Sequence, residues 1–178
     1  MSQRILVTYA TRASSTAGVA EFVAKTLTEA GCLVDVQPMT DVEDLTPYSA
    51  VVAGSAIQGK QWLPEAMEFM QNNQAALRQM PCAVFLVCMT LAMSNSDRFH
   101  DEVASFLDPV RAIITPVSEG MFAGALNIST VPYFRARLGF RLSVLFGVWS
   151  EGDHRDWHAI RAWAYTLPPL LMVGNDSE

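Results

Sequence analysis

Apolar and polar positions along this chain alternate between two rhythms. Ile5-Leu-Val-Thr-Tyr-Ala10 is a short run rich in β-forming residues and reads as a strand. From Ala17 to Ala30 the spacing becomes helical, with Ala20, Val23, Ala24 and Leu27 on one face and Glu21, Lys25 and Glu29 opposite. Gly31 ends that helix as a C-terminal glycine does. Leu33–Gln37 and Ser49–Gly54 read as two further strands, and a helix opens near Pro64, where proline suits the first turn. Ala83–Met89 is an uninterrupted apolar run, the pattern of a central parallel strand. Asp97–Leu107 predicts a helix and Ala112–Ala123 a strand bent or broken near Pro116. A last helix runs from Asp156, its cap, to Leu167, where Pro168-Pro169 stops it.

Strands and helices therefore alternate, with no internal repeat, low-complexity tract or linker to divide residues 1–178. That order predicts a single α/β domain: a three-layer, doubly wound, five-stranded parallel sheet. Such sheets take ligands beyond the carboxyl ends of their strands, where strand order reverses. The loops after the first, third and fourth strands are therefore the candidate ligand loops.

Composition sharpens this picture in three ways. A hydrophobic share of 51% with only 17% charged residues fits a sheet buried on both faces, or an apolar surface used for contact. A net charge of −6 opposes nucleic acid as the main partner. Cys32, Cys82 and Cys88 have no C-x-x-C spacing and read as reduced thiols. No basic and apolar leader opens the chain, and Arg135, Arg137 and Arg141 interrupt its longest apolar stretch. The expected setting is the cytoplasm, with at most peripheral contact at the inner face of a membrane; a homodimer is compatible with all of this.

Thr11-Arg-Ala-Ser-Ser-Thr16 leaves a strand and enters a helix, aiming backbone N–H groups and the positive end of the helix dipole at one spot. Thr11, Ser14, Ser15 and Thr16 add hydroxyl donors, Arg12 adds charge, and Ala13 contributes its amide. The lysine of a P-loop and the G-x-G-x-x-G of a dinucleotide site are absent, so the loop favours a monophosphate held by neutral donors. Serine and threonine also cap helices without binding anything, which is the competing reading.

Tyr9-Ala-Thr-Arg-Ala-Ser-Ser-Thr16 resembles the phosphate loop of the flavodoxin-like superfamily, and within it the menaquinone-dependent protoporphyrinogen oxidase branch. Thr11, Arg12 and Thr16 match that branch; Ala10 and Ser14 replace its usual serine and glycine. The resemblance implies FMN as cofactor and a strand order of 2-1-3-4-5. Val51-Val-Ala-Gly-Ser-Ala-Ile-Gln-Gly59 is similar to the second flavin loop, with Ser55, Ala56, Ile57, Gln58 and Gly59 facing the ring and Gly54 allowing close approach. Trp62 either stacks on the ring, where it would also contact substrate or a membrane surface, or packs beneath the following helix. Met89, Thr90, Leu91 and Ala92 follow the fourth strand and would flank the pyrimidine side.

From Met121 to Ser150 there is no acidic residue, while Arg135, Arg137 and Arg141 lie among Tyr133, Phe134, Phe140, Phe146 and Trp149. A basic amphipathic segment of this kind suits a membrane interface or an acidic, apolar substrate; a surface helix with solvated arginines is the alternative. Phe122-Ala-Gly-Ala-Leu126 and Asp153-His-Arg-Asp-Trp157 extend the resemblance to the oxidase branch, whose members would pass electrons from a tetrapyrrole to a quinone or other redox partner. An electron carrier without its own substrate, or a fold that has lost FMN, are the other readings. His154 and His158 lack a third ligand, so no metal is expected. G-x-S-x-G is absent, and chemistry would be the flavin's own.

Overall fold

The computed structural model describes residues 3–93, 95–126 and 152–172. Strand β1 (Arg4–Ala10) leads through a turn into helix α1 (Ser15–Glu29), then β2 (Leu33–Pro38) and β3 (Ala50–Gln58). A two-residue strand, β4 (Gln61–Trp62), precedes α2 (Pro64–Asn72) and α3 (Gln74–Leu77). Next come β5 (Cys82–Val87), α4 (His100–Ser105), α5 (Asp108–Arg111), β6 (Ser118–Phe122) and β7 (Ala125–Leu126). Strand β8 (Gly152–Asp153) is followed by α6 (Trp157–Thr166) and α7 (Pro168–Leu171).

The main sheet has the order β2-β1-β3-β5-β6, every pair parallel, with β4 antiparallel to the end of β3. Leaving out the short β4, this is the expected 2-1-3-4-5 path of a flavodoxin-like fold. Alternation along each strand sorts the core into two layers. Leu6, Val51, Ala53, Val84 and Leu86 pack against Ala66, Phe69 and Met70 of α2 and Val103 of α4. Ile5, Val7, Val52, Phe85 and Val87 pack against Val19, Val23 and Leu27 of α1 and Ile160 and Ala164 of α6. Each buried Val or Leu of α1 stabilises this layer by roughly 1.5–3 kcal/mol. Strand order reverses between β1 and β3, so the loop after β1 opens at the switch point.

Four expectations need correction. β3 runs four residues past Gly54 and turns back through Gly59 and Lys60, both at positive φ, as a tight two-residue hairpin requires. The segment Asp97–Leu107 is not one helix: a 3₁₀ turn at Ser96–Phe99 precedes α4. The apolar run from Ala112 is not strand; Pro109 opens the turn α5, Ile113 and Ile114 are buried from irregular backbone, and β6 begins at Ser118. A short apolar run cannot reveal by itself whether strand, turn or helix buries it. Pro168-Pro169 ends α6 but also opens α7, because proline fits a first helical turn. Asp156 caps α6 as expected: its Oδ1 accepts from the amides of His158 and Ala159, both at 3.0 Å.

Candidate functional site

The register aligns Ala10 with Ser55, Ala56 with Val87, and Val87 with Phe122, so the chain leaves β1, β5 and β6 at one edge of the sheet. At that edge Ser14 takes φ 62°, ψ −6°, a left-handed conformation that serine reaches only when its surroundings demand it. Its side chain makes no cap bond, while the amide of Gly18 donates to Ser14 O at 3.1 Å and starts α1. A left-handed residue leading into a helix turns successive amides toward one concavity, the geometry of an anion nest. Thr11 Oγ1 and Thr16 Oγ1 are buried with no hydrogen-bond partner, and Thr16 is 0% exposed. A buried hydroxyl without a partner is costly, and an external acceptor at the start of α1 would satisfy both Thr11 in the loop and Thr16 in the first turn of the helix. That donor set, two hydroxyls and helix N-terminal amides, fits a phosphate monoester and favours binding over mere capping.

Arg12 belongs to the loop, but its guanidinium turns away to form a bidentate pair with Glu65, in the first turn of α2. Nη2 donates to Oε2 at 2.9 Å and Nη1 to Oε1. The pairing raises the arginine's pKa further and holds the Glu65 carboxyl below the usual carboxylate range. Ala13 and Ser14 are exposed at the rim, and Ser15 is half-buried.

The second loop is mostly strand. Ser55 is fully buried and its Oγ accepts from the amide of Leu63 at 3.1 Å while donating to Ala56 O at 2.8 Å, so its side chain fixes the start of α2. Ala56 and Ile57 are half-buried, Gln58 and Gly59 exposed on the hairpin. Gly54 serves packing, not ring approach: a Cβ there would lie 2.0 Å from Phe85 Cζ. Of the two roles open to Trp62, the structure realises packing. The residue is 3% exposed in the layer that holds Leu63, Ala66 and Phe69, so substrate contact is withdrawn for it.

Met89, Thr90, Leu91 and Ala92 form a 3₁₀ turn, all half-buried, at the end of β5. Gly124 draws this turn and the phosphate loop together: the place its Cβ would occupy lies 3.3 Å from Met89 Sδ and 3.6 Å from Ser15 Oγ. β7 and β8 pair antiparallel just beyond, and His154 N donates to Gly124 O at 3.1 Å. Arg155 then lies along α1, its guanidinium bidentate on Asp153 at 2.7 Å, 4.4 Å from the Trp157 ring and 3.4 Å from Ser15 O. Gly18 leaves room for it, since a Cβ there would stand 2.6 Å from Arg155 Nη1. Glu65 and Gly18 are site-side residues given no role by the sequence reading, while Gly124 and Arg155 lie inside the two motifs, Phe122–Leu126 and Asp153–Trp157, that carry the resemblance but were assigned no part in the site. Gly18, a glycine inside a helix, carries a local signal of close approach, and Glu65 carries none. Arg135, Arg137 and Arg141 lie outside the described residues.

The three cysteines are buried and unpaired, and burial pushes the Cys82 thiol up to about 12. Among the described residues no cluster of His, Cys, Asp or Glu is arranged to hold a metal, and no helix is long and apolar enough to cross a membrane.

A parallel sheet of this order, with a hydroxyl-bearing loop and a helix N-terminus at its switch point, is the architecture of the flavodoxin-like class. Residues 6–140 match the family model described as "Flavodoxin domain", and the chain belongs to that family. Flavodoxin domains bind FMN. Solved structures agree in fold. A Streptococcus pneumonia TIGR4 flavodoxin is 19% identical, with a TM-score of 0.58 over 92% of this chain and 97% of its own. A short-chain flavodoxin associated with a non-canonical PDU bacterial microcompartment is 17% identical, with a TM-score of 0.58 over 93% and 96%. Oxidised flavodoxin 2 from Bacillus cereus is 23% identical, with a TM-score of 0.52 over 80% and 98%. Comparison with curated proteins finds no match.

Proposed function

We propose that this flavodoxin-domain protein is an FMN-dependent oxidoreductase. In this reading it oxidises protoporphyrinogen, or a similar hydrophobic and acidic substrate, with a quinone as acceptor. The observation that carries the reading is the pairing of β7 with β8. Leu126 and Gly152 are paired, close in the chain to Gly124, which lies beside Ser15 and Met89. Arg135, Arg137 and Arg141 and their aromatic neighbours belong in sequence to the stretch between β7 and β8, so the basic, apolar segment is joined at both ends to strands that border the cofactor loops. Positive charge there suits the carboxylates of a porphyrinogen or an anionic bilayer surface. An electron carrier needs no such segment. The resemblance of Tyr9–Thr16, Phe122–Leu126 and Asp153–Trp157 to the oxidase branch supports the same choice.

FMN supplies one- and two-electron chemistry when bound. The chain's part is to seat the phosphate with Thr11, Thr16 and the amides of residues 12–16, and to wall the ring with Met89–Ala92. Anaerobic mixing of the flavin-loaded protein with protoporphyrinogen tests the proposal: the flavin is reduced, and a menaquinone analogue reoxidises it. A flavin that stays oxidised with this substrate, yet exchanges electrons with a reductase, would return the protein to the carriers. Membrane contact has its own test. Arg135→Glu with Arg141→Glu weakens binding to anionic liposomes; unchanged binding removes the membrane from the account.

A further inference from the structure

We propose that Glu65 withholds Arg12 from the phosphate site, so that the loop binds its phosphate with almost no net charge of its own. The inference rests on the FMN reading above and deepens it. Two guanidinium groups reach the loop among the described residues, and each is matched to a carboxylate. Arg155 lies 3.4 Å from Ser15 O and is held bidentate by Asp153, and Arg12 is held bidentate by Glu65. The two pairs differ in freedom. The Arg155 side chain is 17% exposed and packed on Trp157, whereas that of Arg12 is 51% exposed at the rim of the loop. Arg12 is thus the cation able to change partners.

What keeps it in place is the position of Glu65. Its carboxylate follows Pro64 in the first turn of α2, where the helix dipole favours negative charge, and its side chain is only 24% exposed. A two-point Arg–carboxylate contact is the strongest form of surface ion pair. A phosphate arriving at the Thr11 and Thr16 hydroxyls therefore competes with a preorganised carboxylate for the same guanidinium. With Glu65 in place, discrimination falls to neutral donors with fixed geometry. Without it, Arg12 is released to the phosphate and charge takes over.

Glu65→Gln in the full chain, freed of flavin, is the test, read by titrating FMN and riboflavin against protein fluorescence. The variant binds FMN roughly three- to tenfold more tightly, with the gain shrinking as salt rises, while riboflavin affinity stays at the wild-type level. Adding Arg12→Gln to Glu65→Gln abolishes the gain, which shows that it acts through Arg12 and not through altered folding. An FMN affinity that is unchanged or lower in Glu65→Gln, with the wild-type chain still binding FMN, overturns the inference. A wild-type chain that binds neither flavin overturns the cofactor reading itself, and this inference with it.

Discussion

At the residue scale the site is defined by what its side chains fail to do in the protein alone. Thr16 Oγ1 is buried without a partner, at a cost of about 1–3 kcal/mol relative to a satisfied hydroxyl. Thr16→Val removes that orphan while keeping the shape. The cofactor-free variant should unfold at the same denaturant concentration as wild type or higher, while its FMN dissociation constant rises about tenfold or more. Loss of stability with intact FMN affinity would make Thr16 a mere packing residue. Ser14 sits in the left-handed region, which costs a non-glycine residue roughly 1–2 kcal/mol. Ser14→Gly should accordingly raise the unfolding free energy by about 0.5–1 kcal/mol in chemical denaturation. The hydroxyl-rich loop was legible in the sequence because strand, loop and helix are contiguous there. The partner of Arg12 was not. Nothing local indicates that Glu65, 53 positions on in the chain, would reach back across the switch point.

At the scale of elements, the strands were readable wherever a run was largely apolar, as in Ile5–Ala10 and Ala83–Met89, although the second ends at Val87 and Met89 already belongs to the 3₁₀ turn. They were misread where apolar residues are buried from irregular backbone, as at Ile113 and Ile114, since burial and extension are separate properties. Gly54 illustrates the same limit: its sequence context resembles a flavin loop, but the space above it belongs to Phe85. Gly54→Ala should destabilise the protein by about 1–3 kcal/mol through overpacking, with Phe85→Leu restoring part of the loss in a double variant. Urea denaturation of the three variants measures both effects. The β8–α6 connection makes a pH-dependent contribution. Hydrogen bonding to Arg155 lowers the Asp153 pKa below its unfolded value, so the unfolded chain binds more protons as the solution is acidified. The stabilisation is present above the unfolded carboxylate pKa, roughly 4, and is lost as pH falls through the folded value. Asp153→Asn should flatten the acid limb of the stability curve, and an unaltered limb would deny Asp153 this role.

At the scale of the whole molecule, two apolar layers hold a five-strand parallel path whose loops after β1, β5 and β6 meet at Gly124. Strand and helix alternation with right-handed crossovers predicts the doubly wound parallel sheet, while its particular order was implied by the resemblance of the loops to the flavodoxin-like superfamily. The meeting of the loops was beyond reach, because it depends on β7 pairing with β8 across 25 intervening residues. The proposed function requires a phosphate to seat on the amides and hydroxyls of residues 11–16, at the start of α1. Mapping backbone amide resonances of the full chain during FMN addition addresses it directly. The largest shifts are expected at residues 12–17 and 89–92. Shifts confined to the opposite end of the sheet, around Met80 and Thr115, would contradict it.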